Sequence, residues 1–136
     1  MPGRRENRME RTYRFADVNV RIAPLHGEVL AFCSGYEWDA PADFSAETTQ
    51  VDIDRERARG DGGNYSDAYL ESLAVYRRIA ERMPEYGAFL FHGSAIAVDG
   101  AAYLFTAKSG TGKSTHARLW RELLGDRAAM VNDDKP

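Results

Sequence analysis

Cysteine is nearly absent: Cys33 is the only one among 136 residues. One thiol builds no internal disulfide framework, and a lone cysteine in an apolar stretch is normally packed rather than reactive. A reducing, cytoplasmic setting is therefore expected. Long apolar runs are missing too. No segment approaches the roughly 18 residues of a membrane span, and the N-terminus lacks the apolar core of a secretory signal, so a soluble protein without a membrane partner is expected. Nor is there an excess of basic charge, since 18 Lys and Arg stand against 21 Asp and Glu for a net charge of -3. Nucleic-acid binding leaves a basic patch or stripe; a small-molecule or protein substrate is expected in its place. The chain shows neither an internal repeat nor a low-complexity tract.

What is present suffices for a core, with 43% hydrophobic residues in about one domain's length. Residues 1–11 carry Arg4, Arg5, Arg8 and Arg11 with Glu6 and Glu10 and no periodicity, which reads as a disordered tail. Residues 12–59 read as an N-terminal α+β extension or small subdomain. Within it, Val18, Val20 and Ile22 alternate with polar residues, giving one half-buried strand or two short ones broken near Asp17. Leu25, Val29, Phe32 and Cys33 share one face of a short helix. Phe44, Ala46 and Thr48 alternate as an edge strand, and residues 52–59 read as a solvated charged segment.

The glycine-rich residues 60–64 form the strongest break in the chain. Beyond it a helix capped by Ser66 runs to about Met83, with a core stripe of Tyr69, Leu70, Leu73, Tyr76 or the stem of Arg77, Ala80 and Met83. Residues 89–98 read as a long strand. Asp99-Gly100 then signals a two-residue hairpin into a second strand, residues 101–106. This arrangement ends the first strand where His92 and Ser94 face the site that follows.

That site is residues 107–115, Ala-Lys-Ser-Gly-Thr-Gly-Lys-Ser-Thr. A phosphate-binding loop needs glycines that bring backbone N–H groups close to an anion, a lysine for the β- and γ-phosphates, and a hydroxyl for Mg²⁺. Gly112, Lys113 and Ser114 match the G-K-[ST] core; Ala107 replaces the usual first glycine, and Gly110 adds a flexible position. Ser109, Gly110, Thr111, Gly112, Lys113, Ser114 and Thr115 are the expected phosphate and nucleotide ligands. A helix over residues 113–124 follows, with Ala117, Trp120 and Leu123 or Leu124 on one face and Gly125 at its end, so the phosphates would meet a helix N-terminus. The last strand, residues 127–131, closes on Asn132-Asp133-Asp134. A helical crossover makes it parallel to the strand before the loop, so a metal-binding carboxylate would arrive at the same sheet edge.

Taken together, Phe91-His92-Gly93-Ser94-Ala95, the Asp-Gly hairpin, the loop and Asn132-Asp133-Asp134 resemble the kinase domain of HPr serine kinase/phosphorylase and the related nucleotide site of ATP-dependent phosphoenolpyruvate carboxykinase. The resemblance implies an α/β fold with a P-loop kinase-type sheet, beginning within residues 64–136 as strand, hairpin, loop, helix and strand. It implies ATP phosphates on Gly110, Gly112 and Lys113, and Mg²⁺ near Ser114. His92 would lie by the γ-phosphate or metal. Asp133 and Asp134 would divide the roles of metal ligand and base, with Asp134 beside Ser114 as ligand. Further strands and the adenine and acceptor sites would be expected beyond Pro136, so the chain reads as a truncated piece whose exposed sheet favours homo-oligomers. The expected activity of the whole protein is transfer of the γ-phosphoryl of ATP to a hydroxyl of an unidentified protein or small molecule. Two alternatives stand beside it, a non-catalytic nucleotide-binding regulatory module and a carboxykinase-like metabolic enzyme.

Overall fold

The computed structural model describes residues 8–133 and divides the chain into two compact units, Met1–Leu90 and Phe91–Pro136. Each holds one three-stranded sheet, and the described residues contain four α-helices, a mixed α/β composition.

In the N-terminal unit, β1 (Arg11–Phe15) and β2 (Val18–Ala23) form an antiparallel hairpin. The turn is Ala16-Asp17, both with positive φ, the geometry that matches strand twist in two-residue hairpins. Arg14 donates to the Asp17 carboxylate at 3.0 Å across it. After the one-turn helix α1 (Glu28–Ala31), β3 (Phe44–Glu47) joins β2 in parallel. The outer edge of β1 is closed by a short stretch of chain, with Arg14 N–H donating to Tyr36 O and Trp38 N–H to Thr12 O. Helices α2 (Gln50–Arg59) and α3 (Asp67–Arg82) follow. Tyr13, Val18, Val20, Ile22, Val29, Phe44 and Ala46 meet Val75, Ile79 and Met83 in one core.

Several details depart from the sequence-based expectation. Residues 52–59 are helical rather than a solvated segment: Ile53 is fully buried, and buried Glu56 accepts from Arg77 at 2.6 Å. Only these two positions face inward, too few to show a period. Val29 of α1 is buried but Leu25 and Phe32, which lie outside its single turn, are exposed. The buried face of α3 is Ala68, Leu70, Glu71, Ala74, Val75 and Ile79, while Tyr69 and Leu73 are exposed. Arg11, at the end of the supposed tail, opens β1, and Arg8 pairs with Glu47 at 2.8 Å. The glycine cluster at 60–64 is a turn inside one unit: α2 and α3 are joined across it by the Arg77–Glu56 and Arg78–Asp52 pairs, and the division falls at Leu90/Phe91.

A buried carboxylate ties the N-terminal unit together. Glu71 of α3 is fully buried and accepts four hydrogen bonds: Leu25 N–H at 2.6 Å, His26 N–H at 2.9 Å, the Thr48 hydroxyl at 2.5 Å and His26 Nδ1 at 2.6 Å. Burial pushes its pKa up, but the bonds from Thr48, Leu25 and His26 more than offset that and leave it below the ordinary glutamate value.

In the C-terminal unit the strand order is β5-β4-β6, with β4 (Ser94–Val98) antiparallel to both β5 (Ala101–Phe105) and β6 (Ala128–Asp133). β5 and β6 therefore run parallel to each other with β4 between them. The hairpin turn is Asp99-Gly100, both at positive φ. The ladder between β4 and β6 slips by one residue between Ala95 and Ile96. Helix α4 (Lys113–Leu124) packs Ala117, Trp120 and Leu124 against Ile96, Val98, Phe105, Ala128 and Met130. Of the two leucines, Leu124 turns inward and Leu123 is 84% exposed. The first strand is shorter than the expected residues 89–98. It starts at Ser94 because its ladder with β5 ends at the pair Ser94 and Phe105, leaving residues 89–93 no rung to share.

Candidate functional site

Residues 106–112 connect the end of β5 to the start of α4. Within the loop, Gly110 has φ +79° and Gly112 φ +104°. A Cβ at either position would meet nothing within 4 Å, so the demand for glycine is conformational; an L-residue held left-handed costs roughly 1–2 kcal/mol. Thr111 closes the turn, donating to the Lys108 carbonyl from its amide at 3.2 Å and its hydroxyl at 2.7 Å.

Lys113 curls back over this loop. Its Nζ donates to Ala107 O at 3.0 Å and Lys108 O at 3.4 Å, and the residue is only 8% exposed. The buried ammonium is thus satisfied by carbonyls of its own loop rather than by a carboxylate. Gly112 caps α4 with no side chain to offer the first-turn amides. Those amides are the unpaired donors of every helix start, and the dipole gives them positive character. Ser109, Ser114 and Thr115 are exposed around them.

The neighbouring strands bring the other predicted residues toward this end of the sheet. Gly93 lies so close to the end of β5 that a Cβ there would sit 2.4 Å from Phe105 O. His92, exposed and one residue earlier, is delivered beside the strand end from which the loop departs. Ser94 is fully buried on the rung shared with Phe105 on one side and Asp133 on the other. Two strand spacings place the backbones of Phe105 and Asp133 roughly 10 Å apart. Asp134 lies outside the described residues.

The donor set suits a polyphosphate. The loop offers amides, one ammonium and hydroxyls, and among the described residues no cluster of three or more His, Cys, Asp or Glu forms a metal site. An oxygen-loving cation such as Mg²⁺ would find the Ser114 hydroxyl there, with further oxygens from phosphate and carboxylate. Burial pushes the Cys33 thiol up to about 11, the direction that disfavours the nucleophilic thiolate. An open concavity of about 500 Å³ in the N-terminal unit is bordered by Glu10, Arg11, Arg21, Glu37 and Trp38. Four of its charges pair off, Arg21 with Glu10 and Arg11 with Glu37.

Two residues beside the loop are absent from the sequence-based set. His116, in the first turns of α4, meets Phe105 edge-on at 4.7 Å and accepts from Trp120 Nε1 at 3.2 Å. Their spacing of three after Lys113 and four before Trp120 is the one signal that pointed to them. Compared with protein-family models, curated proteins and solved structures, the chain has no match in any of the three.

Proposed function

We propose that the C-terminal unit is the phosphate-binding part of a P-loop kinase of the HPr serine kinase type, moving the γ-phosphoryl of ATP to a hydroxyl of a protein or small molecule. One observation carries the reading: a loop with two left-handed glycines, leading into uncapped helix amides, folds beneath a lysine that, among the described residues, binds only the loop's own carbonyls.

On this reading Lys113 exchanges two carbonyl partners for phosphate oxygens, a gain because ammonium–phosphate bonds are charge-assisted on both sides. The amides of residues 110–115 cradle the phosphates. Mg²⁺, held by Ser114 and by Asp134, would supply neutralisation of phosphate charge. Asp133 accepts the proton of the acceptor hydroxyl, and His92 stands at the strand end beside the transferred group. Positioning and charge are most of what phosphoryl transfer asks of a protein.

The test is equilibrium binding of ATP, with and without Mg²⁺, by the full chain and its Lys113→Ala variant. Loss of the lysine is expected to weaken binding by about a hundredfold, the scale of a phosphate clamp. Absence of ATP binding by the parent, or equal binding by the variant, overturns the reading. ATP turnover by Asp133→Asn and Asp134→Asn separates catalyst from binder. A base is worth about 10² to 10⁴ in rate, so two variants as fast as the parent would leave the non-catalytic nucleotide module in its place.

A further inference from the structure

Trp120 and His116 form a pair with only one consistent chemistry. An indole N–H is a donor and never an acceptor. His116 Nε2, which receives it at 3.2 Å, must therefore be the unprotonated ring nitrogen. The neutral imidazole then carries its hydrogen on Nδ1. The ring also meets Phe105 edge-on at 4.7 Å, while Phe105 and Tyr103 brace Trp120 at 5.2 Å and 5.0 Å. A helical side chain leans toward the helix N-terminus, which directs the imidazole toward the turn that begins at Gly112 and Lys113. Phe105 is the last residue before the loop. The ring, exposed on its other side, thus lies against the last strand residue before the loop, carried by the helix that leaves it. Among the described residues nothing accepts from Nδ1.

We propose that His116 is a further ligand-binding residue of the loop, its Nδ1–H donating to an oxygen of the bound polyphosphate, with Trp120 as the positioning residue that sets its tautomer. The inference deepens the phosphate-loop reading and rests on it. Three variants divide its parts. His116→Phe keeps a ring against Phe105 and removes the donor. His116→Asn returns an N–H close to the position of Nδ1. Trp120→Phe keeps an aromatic ring and removes the group that selects the tautomer.

The experiment measures ATP affinity of the full chain and each variant, with thermal melting alongside, and reads the ¹⁵N shifts of the His116 imidazole without nucleotide. A hydrogen bond to a charged partner corresponds to roughly ten- to hundredfold in affinity. His116→Phe should lose about that factor and His116→Asn should regain most of it. The parent should show the Nδ1–H tautomer, and Trp120→Phe a mixture. His116→Phe binding like the parent overturns the inference alone, as does an equal loss in the Phe and Asn variants, which would mark a packing role. An Nε2–H imidazole in the parent overturns it without any nucleotide. A parent chain that binds no ATP overturns the phosphate-loop reading and this inference with it.

Discussion

The two units solve opposite problems. The N-terminal unit buries ten core side chains from three strands and two helices, and fastens α3 to its sheet through Glu71. The C-terminal unit gathers three buried apolar residues, Ile96, Val98 and Ala117, into its core cluster and leaves Tyr103, Leu104, Leu119, Leu123 and Val131 exposed. A body this small buries too little surface to be strongly stable alone. Its polar groups are spent differently as well. In the N-terminal unit a buried charge collects donors until it is saturated; in the loop, donors are left facing outward and a lysine is held by weak carbonyl acceptors. Stability and ligand chemistry draw on the same backbone groups, and a site keeps them available by forgoing part of the stabilisation.

This contrast is open to direct tests, helped by two tryptophans that fall one in each unit, Trp38 and Trp120. The largest effect is expected at Glu71. Glu71→Ala leaves two part-buried amides and a buried hydroxyl without their acceptor and should destabilise the N-terminal unit by about 3–5 kcal/mol. Denaturation followed by Trp38 fluorescence in a Trp120→Phe background measures it. A cost below 1 kcal/mol would break the comparison. The same carboxylate predicts an acid limit. A folded-state pKa below the unfolded value adds stability that is present above the unfolded value and lost as pH falls through the folded one. The unit should therefore weaken on acidification below about pH 4, and Glu71→Gln should flatten that dependence.

Next in size is Gly112→Ala, where the cost is left-handed backbone strain of roughly 1–2 kcal/mol. It should appear in the C-terminal unit and in ATP affinity, and leave the Trp38 signal unmoved. A change in Trp38 unfolding would show that the two units unfold together. The smallest of the three is Ser66→Ala. Ser66 caps α3 by accepting from Tyr69 N–H at 3.2 Å, and its loss should cost about 1 kcal/mol, confined to the N-terminal unit. Chemical denaturation resolves a shift of that size.

Where a single residue type dictates the geometry, the sequence was readable. The Asp99-Gly100 turn, the cap at Ser66, the break near Asp17 and the strand–loop–helix around Gly112 all follow from φ or hydrogen-bonding demands local to a few residues. What escaped depended on distant partners. Glu71 looks like any polar residue on a helix until Leu25, His26 and Thr48 converge on it from the β2–α1 turn and the end of β3. Residues 52–59 showed charge rather than period because only Ile53 and Glu56 turn inward. Residues 89–93 are apolar enough for a strand, but strand identity requires a neighbour, and β5 ends one rung too early. At the candidate site the loop ligands could be named from the motif alone, whereas His116 could not, since its significance lies in the indole that bonds to its ring.

The one-residue slip in the β4–β6 ladder has an outcome of its own. Below the slip, Ala128, Ala129 and Met130 oppose Val98, Ala97 and Ile96 in strict antiparallel order. Were that order kept, the position opposite Ser94 would fall to Asn132. Because Val131 is skipped, Asp133 takes it instead. The bulge thus works as a parity switch: the core-facing half of β6 keeps its phase, and the end nearest the loop is advanced by one, exchanging an amide for an acid level with Ser94 and Phe105.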